Sequence, residues 1–177
     1  YTIQAGDNDT NGISIGADVL ALNSGTISDP AGNNAILTHS AVSDNSSYKV
    51  DTTPPTVSSV AITSATGIQN NLLNAGDNVS VTVTFSENVP VTGTPQLTLA
   101  VGDDNQTATY ASSGNGGTTL VFKYTIQAGD NDTNGISIRA NALALDNGTI
   151  MDLAENNAIL THSAVSDNNS YMVYTEA

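Results

Sequence analysis

The chain has 177 residues, with 3 Lys and Arg against 17 Asp and Glu and a formal charge of −14. Nucleic-acid binders and proteins that adsorb to anionic membranes need clustered cations, so this balance argues against both partner classes. No apolar run approaches the ~20 residues of a spanning helix, no signal peptide is read, and cysteine is absent. Membrane insertion is therefore not expected, and any export signal is expected elsewhere in a longer parent. Excess carboxylate invites a divalent cation, or serves only to keep a long secreted chain soluble. Disorder is the other reading of an acidic chain rich in Asn, Ser, Thr and Gly. Val, Ile and Leu recurring in alternating runs argue against it.

The chain begins with a segment that it later repeats. Tyr1–Ile15 recurs letter for letter as Tyr124–Ile138. Residues 1–50 and 124–173 align without a gap at an offset of 123, and 40 of the 50 positions are identical. A tandem repeat of about 123 residues is the size of a whole domain, far above the roughly 20–50 residues of a solenoid unit. The organisation read from this is residues 1–50 as the C-terminal half of one repeat, 51–56 as a Pro-rich joint, and 57–177 as a complete repeat. At the joint, Pro54-Pro55 fixes two φ angles and biases Thr53 away from helix, giving a stiff, extended connector.

Beyond the joint, the elements read as strands. Thr56–Thr63 alternates, and Asn78–Ser86 places Val79, Val81, Val83 and Phe85 on one face. Gln96–Val101 and Gln106–Tyr110 follow, separated by the turn-forming Gly102–Asn105. Thr118–Gln127 is a further strand, with Leu120, Phe122, Tyr124 and Ile126 in phase, and Ile136–Leu145 and Ala158–Val173 supply two or three more. No segment has three clean turns of 3.6 period. Seven or eight short strands in ~120 residues predict an all-β domain, an immunoglobulin-like β-sandwich without the disulfide and core Trp of antibody domains. Leu97 and Leu99 join the in-phase residues above as its expected core.

Several of these segments resemble a family. Val50-Asp-Thr-Thr-Pro-Pro-Thr-Val57, Ala75–Ser86, Tyr124–Gly129 and Asp29-Pro-Ala-Gly-Asn33 are similar to the tandem bacterial Ig-like extender repeats of giant secreted adhesins of RTX and biofilm-associated type. The resemblance implies a passive spacer on the bacterial cell surface, rigidified by calcium at domain joints, with neighbouring Ig-like repeats as its partners. In this chain Val173-Tyr-Thr-Glu-Ala177 stands where Val50-Asp-Thr-Thr-Pro54 stands in the first copy, so the Asp and Pro-Pro of a following joint are missing.

The sharpest local motif is Asp7-Asn-Asp-Thr-Asn-Gly12, repeated as Asp130–Gly135. It matches the first half of an EF-hand loop, in which alternate oxygens face one cation and Gly permits the sharp turn. The twelfth position, a bidentate Glu in an EF-hand, is Asp18 in one copy and Asn141 in the other, and the flanks are strands. Two readings stand. One is a calcium site through Asp7, Asp9, Asn11 and Asp51, and in the second copy through Asp130, Asp132 and Asn134. The other is a turn stabilised by its own Asn and Asp side chains. Sandwich geometry places Asp7 and Asp9 near Asp51, and Glu87, Asp152 and Glu155 at the facing pole of the next domain. Two carboxylates about 4 Å apart repel by roughly 4 kcal/mol at an effective dielectric near 20, so a cation there would stiffen the joint.

Catalysis is not expected. His39 and His162 occupy equivalent places in Leu-Thr-His-Ser, without a nucleophile-elbow motif, and two His with no Cys are poor material for zinc. Lys49 is replaced by Met172 in the second copy, against an isopeptide crosslink in every repeat. The function expected is mechanical, projecting a distal binding region from the cell. The alternative is a module that binds carbohydrate or protein, for which an aromatic content of 5% without Trp offers little sugar-stacking surface. Residues 51–123 are expected to pair in cis with 124–173. Residues 1–50, holding only the last strands of their domain, are expected to be completed by strands in trans.

Overall fold

Alternation in Asn78–Phe85 builds the centre of the fold, because period-two placement of Val79, Val81, Val83 and Phe85 buries one face of a strand. The computed structural model describes residues 1–111 and 117–175. It divides into two units, Tyr1–Thr53 and Pro54–Ala177. Among the described residues it is all-β, with no helix.

Among its described residues the second unit holds eleven strands. These are β1 (Val57–Thr66), β2 (Leu72–Leu73), β3 (Asn78–Phe85), β4 (Val91–Thr92), β5 (Gln96–Val101), β6 (Asp104–Tyr110), β7 (Thr119–Thr125), β8 (Asn131–Asp132), β9 (Leu143–Ala144), β10 (Thr149–Ile150) and β11 (Met172–Tyr174). Six form one sheet in the order β1-β3-β7-β6-β5-β9, and two small ladders, β10-β4 and β2-β11-β8, complete the unit. The ten side chains expected in the core are all buried, Leu97 and Phe122 completely. Ile136, Ile138, Leu143, Ile150 and Val173 join them from the second half of the unit. Residues 57–123 and 124–173 therefore close one core in cis, through β5 with β9, β4 with β10 and β2 with β11.

Two segments differ from their expected form. Ile136–Leu145 and Ala158–Val173 contribute only isolated bridges and the short β9 and β11. Asn141 (φ 57°), and beyond the first segment Asp146 (φ 44°) and Asn147 (φ 63°), turn the backbone left-handed, which ends any extended run within a few residues. Apolar side chains still point inward between these turns, so the alternation is correct about burial while overstating strand length.

Register fixes the polarity of this unit. Val57 lies opposite Phe85 and Thr84 opposite Thr119, which sets one pole; Thr66 opposite Asn78 and Asn78 opposite Thr125 set the other. The chain enters at the first pole, where the Thr56 N–H donates to Ser86 Oγ at 3.0 Å and the Ser86 N–H to the Thr56 carbonyl at 2.9 Å. It leaves through β11, which pairs with β2 and β8, the elements that follow β1 and β7 at the second pole.

The first unit repeats the local structure of residues 124–173. Its bridges Asp9–Val50, Ile15–Val42 and Ser28–Asn34 recur, 123 residues on, as Asp132–Val173, Ile138–Val165 and Met151–Asn157. The Ile13 N–H donates to the Tyr48 carbonyl at 3.0 Å, as the Ile136 N–H does to that of Tyr171 at 3.0 Å. Burial is what differs. Ile13 is 45% exposed where Ile136 is 0%, and Ile27 is 48% exposed where Ile150 is 1%.

Candidate functional site

The motif shared by both copies folds as a turn closed by its own amides. Asp132 Oδ1 accepts from the N–H groups of Gly135 (2.7 Å) and Asn134 (3.3 Å), and Oδ2 from Gly102 N–H at 2.8 Å. Asp9 Oδ1 accepts from Gly12 N–H at 2.8 Å in the same way. Gly135, at φ 99°, is required there: a Cβ would stand 2.0 Å from the Asn168 carbonyl oxygen. The carboxamide of Asn134 donates to Asp167 at 2.5 Å, and Asn11 donates to Asp44 equivalently.

Asp130 is buried, with three donors. The Tyr124 hydroxyl (2.7 Å) and Gln127 N–H (2.8 Å) reach Oδ2, and Gln106 Nε2 reaches Oδ1 at 3.0 Å. Burial, and then the adjacent carboxylate, push the Tyr124 phenol well above its ordinary range. Asp7 makes the corresponding bonds in the open, to Tyr1 hydroxyl at 2.8 Å and Gln4 N–H at 2.7 Å. The Gln4 amide, followed by the Tyr1 hydroxyl, holds its carboxyl below the usual carboxylate range. Asp18 and Asn141, at the twelfth loop position, accept from the N–H groups of His39 (2.8 Å) and His162 (3.1 Å). Among the described residues, neither loop belongs to a group of three or more carboxylates or imidazoles with ligand atoms within 4.8 Å of one another.

The expected neighbourhood of Asp7, Asp9 and the start of the joint is present within the first unit. Asp9 and Val50 exchange backbone bonds of 2.7 and 3.0 Å, and Thr52 N–H donates to Asn8 Oδ1 at 3.0 Å. Asp51 Oδ1 accepts from Thr53 N–H at 2.9 Å, shaping the approach to Pro54.

At the entry pole of the second unit, Glu87 and Asp152 each bring a carboxylate oxygen to within 4.8 Å of the other. Glu87 follows Ser86 directly after β3. Asp152 is buried and caps a turn: Oδ1 accepts from Ala154 N–H (2.8 Å) and Asn156 N–H (2.9 Å), and Oδ2 from Asn156 Nδ2 (2.8 Å). A carboxylate pair this close, one member half-buried and the other buried, can hold a divalent cation once further oxygens are supplied. Glu155 lies in the turn that Asp152 caps, at φ 68°.

The roles of Gln106 and Tyr124 on Asp130 were not legible in the motif, because both partners come from other strands. The capping role of Asp152 had a signal, since Asp29-x-x-x-Asn33 and Asp152-x-x-x-Asn156 preserve both ends of the turn. His39 and His162 are half-buried and lie outside the strands. Each Nε2 accepts a backbone N–H, from Val19 at 3.2 Å and Ala142 at 2.9 Å, and each Nδ1 faces the carbonyl of the next residue.

No family model, curated protein or solved structure matches the chain.

Proposed function

We propose that this chain is a structural spacer, a repeat of a bacterial surface adhesin with an immunoglobulin-like sandwich, whose joint is stiffened by calcium. The observation that carries the spacer reading is polarity. The second unit takes the chain in beside Phe85 and Ser86 and releases it beside Leu72 and Asn131, so each added copy lengthens the molecule. Strands of eight and ten residues at ~3.3 Å each give such a unit a length of roughly 30 Å or more.

The calcium reading rests on Glu87 and Asp152 at the entry pole. The remaining coordination positions would be filled by oxygens beyond this pair.

The test is thermal melting and small-angle scattering in millimolar Ca²⁺ and in EDTA, for the native chain and for Glu87→Gln. Calcium is expected to raise the melting temperature and narrow the spread of interdomain distances, with both effects lost in Glu87→Gln. Identical curves with and without calcium overturn the calcium reading. Gains that persist in Glu87→Gln but vanish in Asp130→Asn move the ion to the repeated loop.

A further inference from the structure

The first unit presents a bare apolar face whose buried form the same chain displays elsewhere. Ile13, Ile15 and Ile27 have the same neighbours in sequence, and nearly the same local backbone bonds, as Ile136, Ile138 and Ile150. The second set is closed over by residues 57–123. Ser137 exchanges backbone bonds of 2.9 and 3.1 Å with Ala100, and Met151 N–H donates to the Pro90 carbonyl at 3.3 Å. Gly102 N–H reaches Asp132, and Gln106 reaches Asp130. Among the described residues, Ser14 has no partner like Ala100, and the side chains of Ile13, Ile15 and Ile27 are roughly half-exposed.

We infer that residues 1–50 are a docking surface for a second sheet with the sequence of residues 51–123, one not already closed by its own 124–173 half. The occupant is specified by the internal copy, because the 40 identities in 50 positions include the principal apolar and acidic side chains that meet the sheet. Ile126, Ile136, Ile138 and Ile150 are matched by Ile3, Ile13, Ile15 and Ile27, and Asp130 and Asp132 by Asp7 and Asp9. Backbone pairing would follow the observed registers, with Ile27 opposite a counterpart of Val91 and Leu20 opposite a counterpart of Leu97. Tyr1 and Thr2 correspond to Tyr124 and Thr125 within β7, so their backbones would extend a strand of the incoming sheet.

A second molecule of this chain is a poor occupant on stoichiometric grounds. Each molecule carries one such sheet and two halves that fit it. Exchange between molecules leaves the same number of halves uncovered, and cis closure by 124–173 holds the advantage of effective concentration. The occupant is therefore an additional sheet, and joining one ahead of Tyr1, as residues 51–123 are joined ahead of Tyr124, supplies it in the observed connectivity. This inference does not depend on calcium, and its test is run in EDTA.

The experiment compares the 177-residue chain with a chain carrying an extra copy of residues 51–123 fused ahead of Tyr1. Amide hydrogen exchange is read at Asp9, Ile13, Ile15, Val42 and Val50, with Asp132, Ile136, Ile138, Val165 and Val173 as internal references. In the 177-residue chain the first set is expected to exchange at least ~1000-fold faster than the second, and in the fused chain to match it. Ile13→Asp in the fused chain should restore fast exchange in the first set and leave the second unchanged. Equal protection of both sets in a dilute monomer of the 177-residue chain overturns the inference. So does fast exchange of the first set in a soluble fused chain. Should the fused chain aggregate, refolding it at high dilution and reading the same amides decides: protection of the first set, lost in Ile13→Asp, supports the inference, and fast exchange of that set beside a protected second set overturns it.

Discussion

The Tyr124 hydroxyl donates to the Asp130 carboxylate at 2.7 Å, tying the end of β7 to the turn that follows it. The corresponding pair in the first unit, Tyr1 and Asp7, makes the same bond at 2.8 Å with Tyr1 fully exposed. Tyr124→Phe is expected to cost about 1–3 kcal/mol, the usual range for a bond to a buried charged acceptor. Asp130 retains Gln106 and Gln127 as donors, which keeps the loss within that range. Tyr1→Phe, at a fully exposed side chain, is expected to leave stability unchanged. Denaturant unfolding of the two variants measures the difference.

The same phenol makes stability depend on alkaline pH. Its folded-state pKa is raised by burial and by Asp130, whereas the unfolded chain titrates near the ordinary value of about 10. The folded state therefore holds the proton more tightly. This contribution is fully present below pH ~10 and declines as pH rises above it. The stability difference between the native chain and Tyr124→Phe, followed by denaturant midpoint from neutral to alkaline pH, should shrink beyond pH ~10.

Two glycines in one repeat should respond differently to alanine. Gly129 and Gly135 both have φ 99°, but only Gly135 would drive a Cβ into the Asn168 carbonyl, at 2.0 Å. Gly129→Ala carries the left-handed backbone penalty alone, roughly 1–2 kcal/mol. Gly135→Ala should cost distinctly more and displace the 168–171 turn. Melting temperatures and the amide spectrum of Asn168–Tyr171 report the two effects separately.

Equivalent isoleucines should carry unequal energy. Ile136→Ala is expected to cost about 2–5 kcal/mol, as for a packed core side chain. Ile13→Ala, the same change in the same local sequence, should leave the main unfolding transition unmoved, because its side chain is half-exposed and lies in the other unit. A common shift in both variants would contradict the difference in burial.

The core was legible because alternation is a local signal. Val79 to Phe85 and Leu120 to Ile126 announce their buried face in a window of eight residues, and every expected core side chain is buried. The extent of the later strands was not legible in the same way. Ile136, Ile138 and Leu143 keep inward positions, but Asn141 breaks the extended path between them, and a left-handed Asn looks the same in sequence as an extended one. The repeated Asp-Asn-Asp-Thr-Asn-Gly motif revealed a turn and its Gly. It did not reveal that Asp130 would be held by Tyr124 and Gln106 from two other strands. The closeness of Glu87 and Asp152 depends on residues 65 positions apart meeting at one pole, which only the folded chain discloses.

The route of the chain through the second unit has a mechanical corollary. β1 begins at the entry pole and is laid along β3 through eight paired residues, while the exit strand β11 lies at the opposite pole. Tension applied between Thr56 and Tyr174 therefore drags β1 lengthwise past β3. Antiparallel ladder bonds run perpendicular to their strands, so the pull meets them side by side and strains the row together. A hairpin pulled from its open end would surrender its bonds one at a time. This unit resists traction as a lap joint does, by distributing the load over its whole overlap.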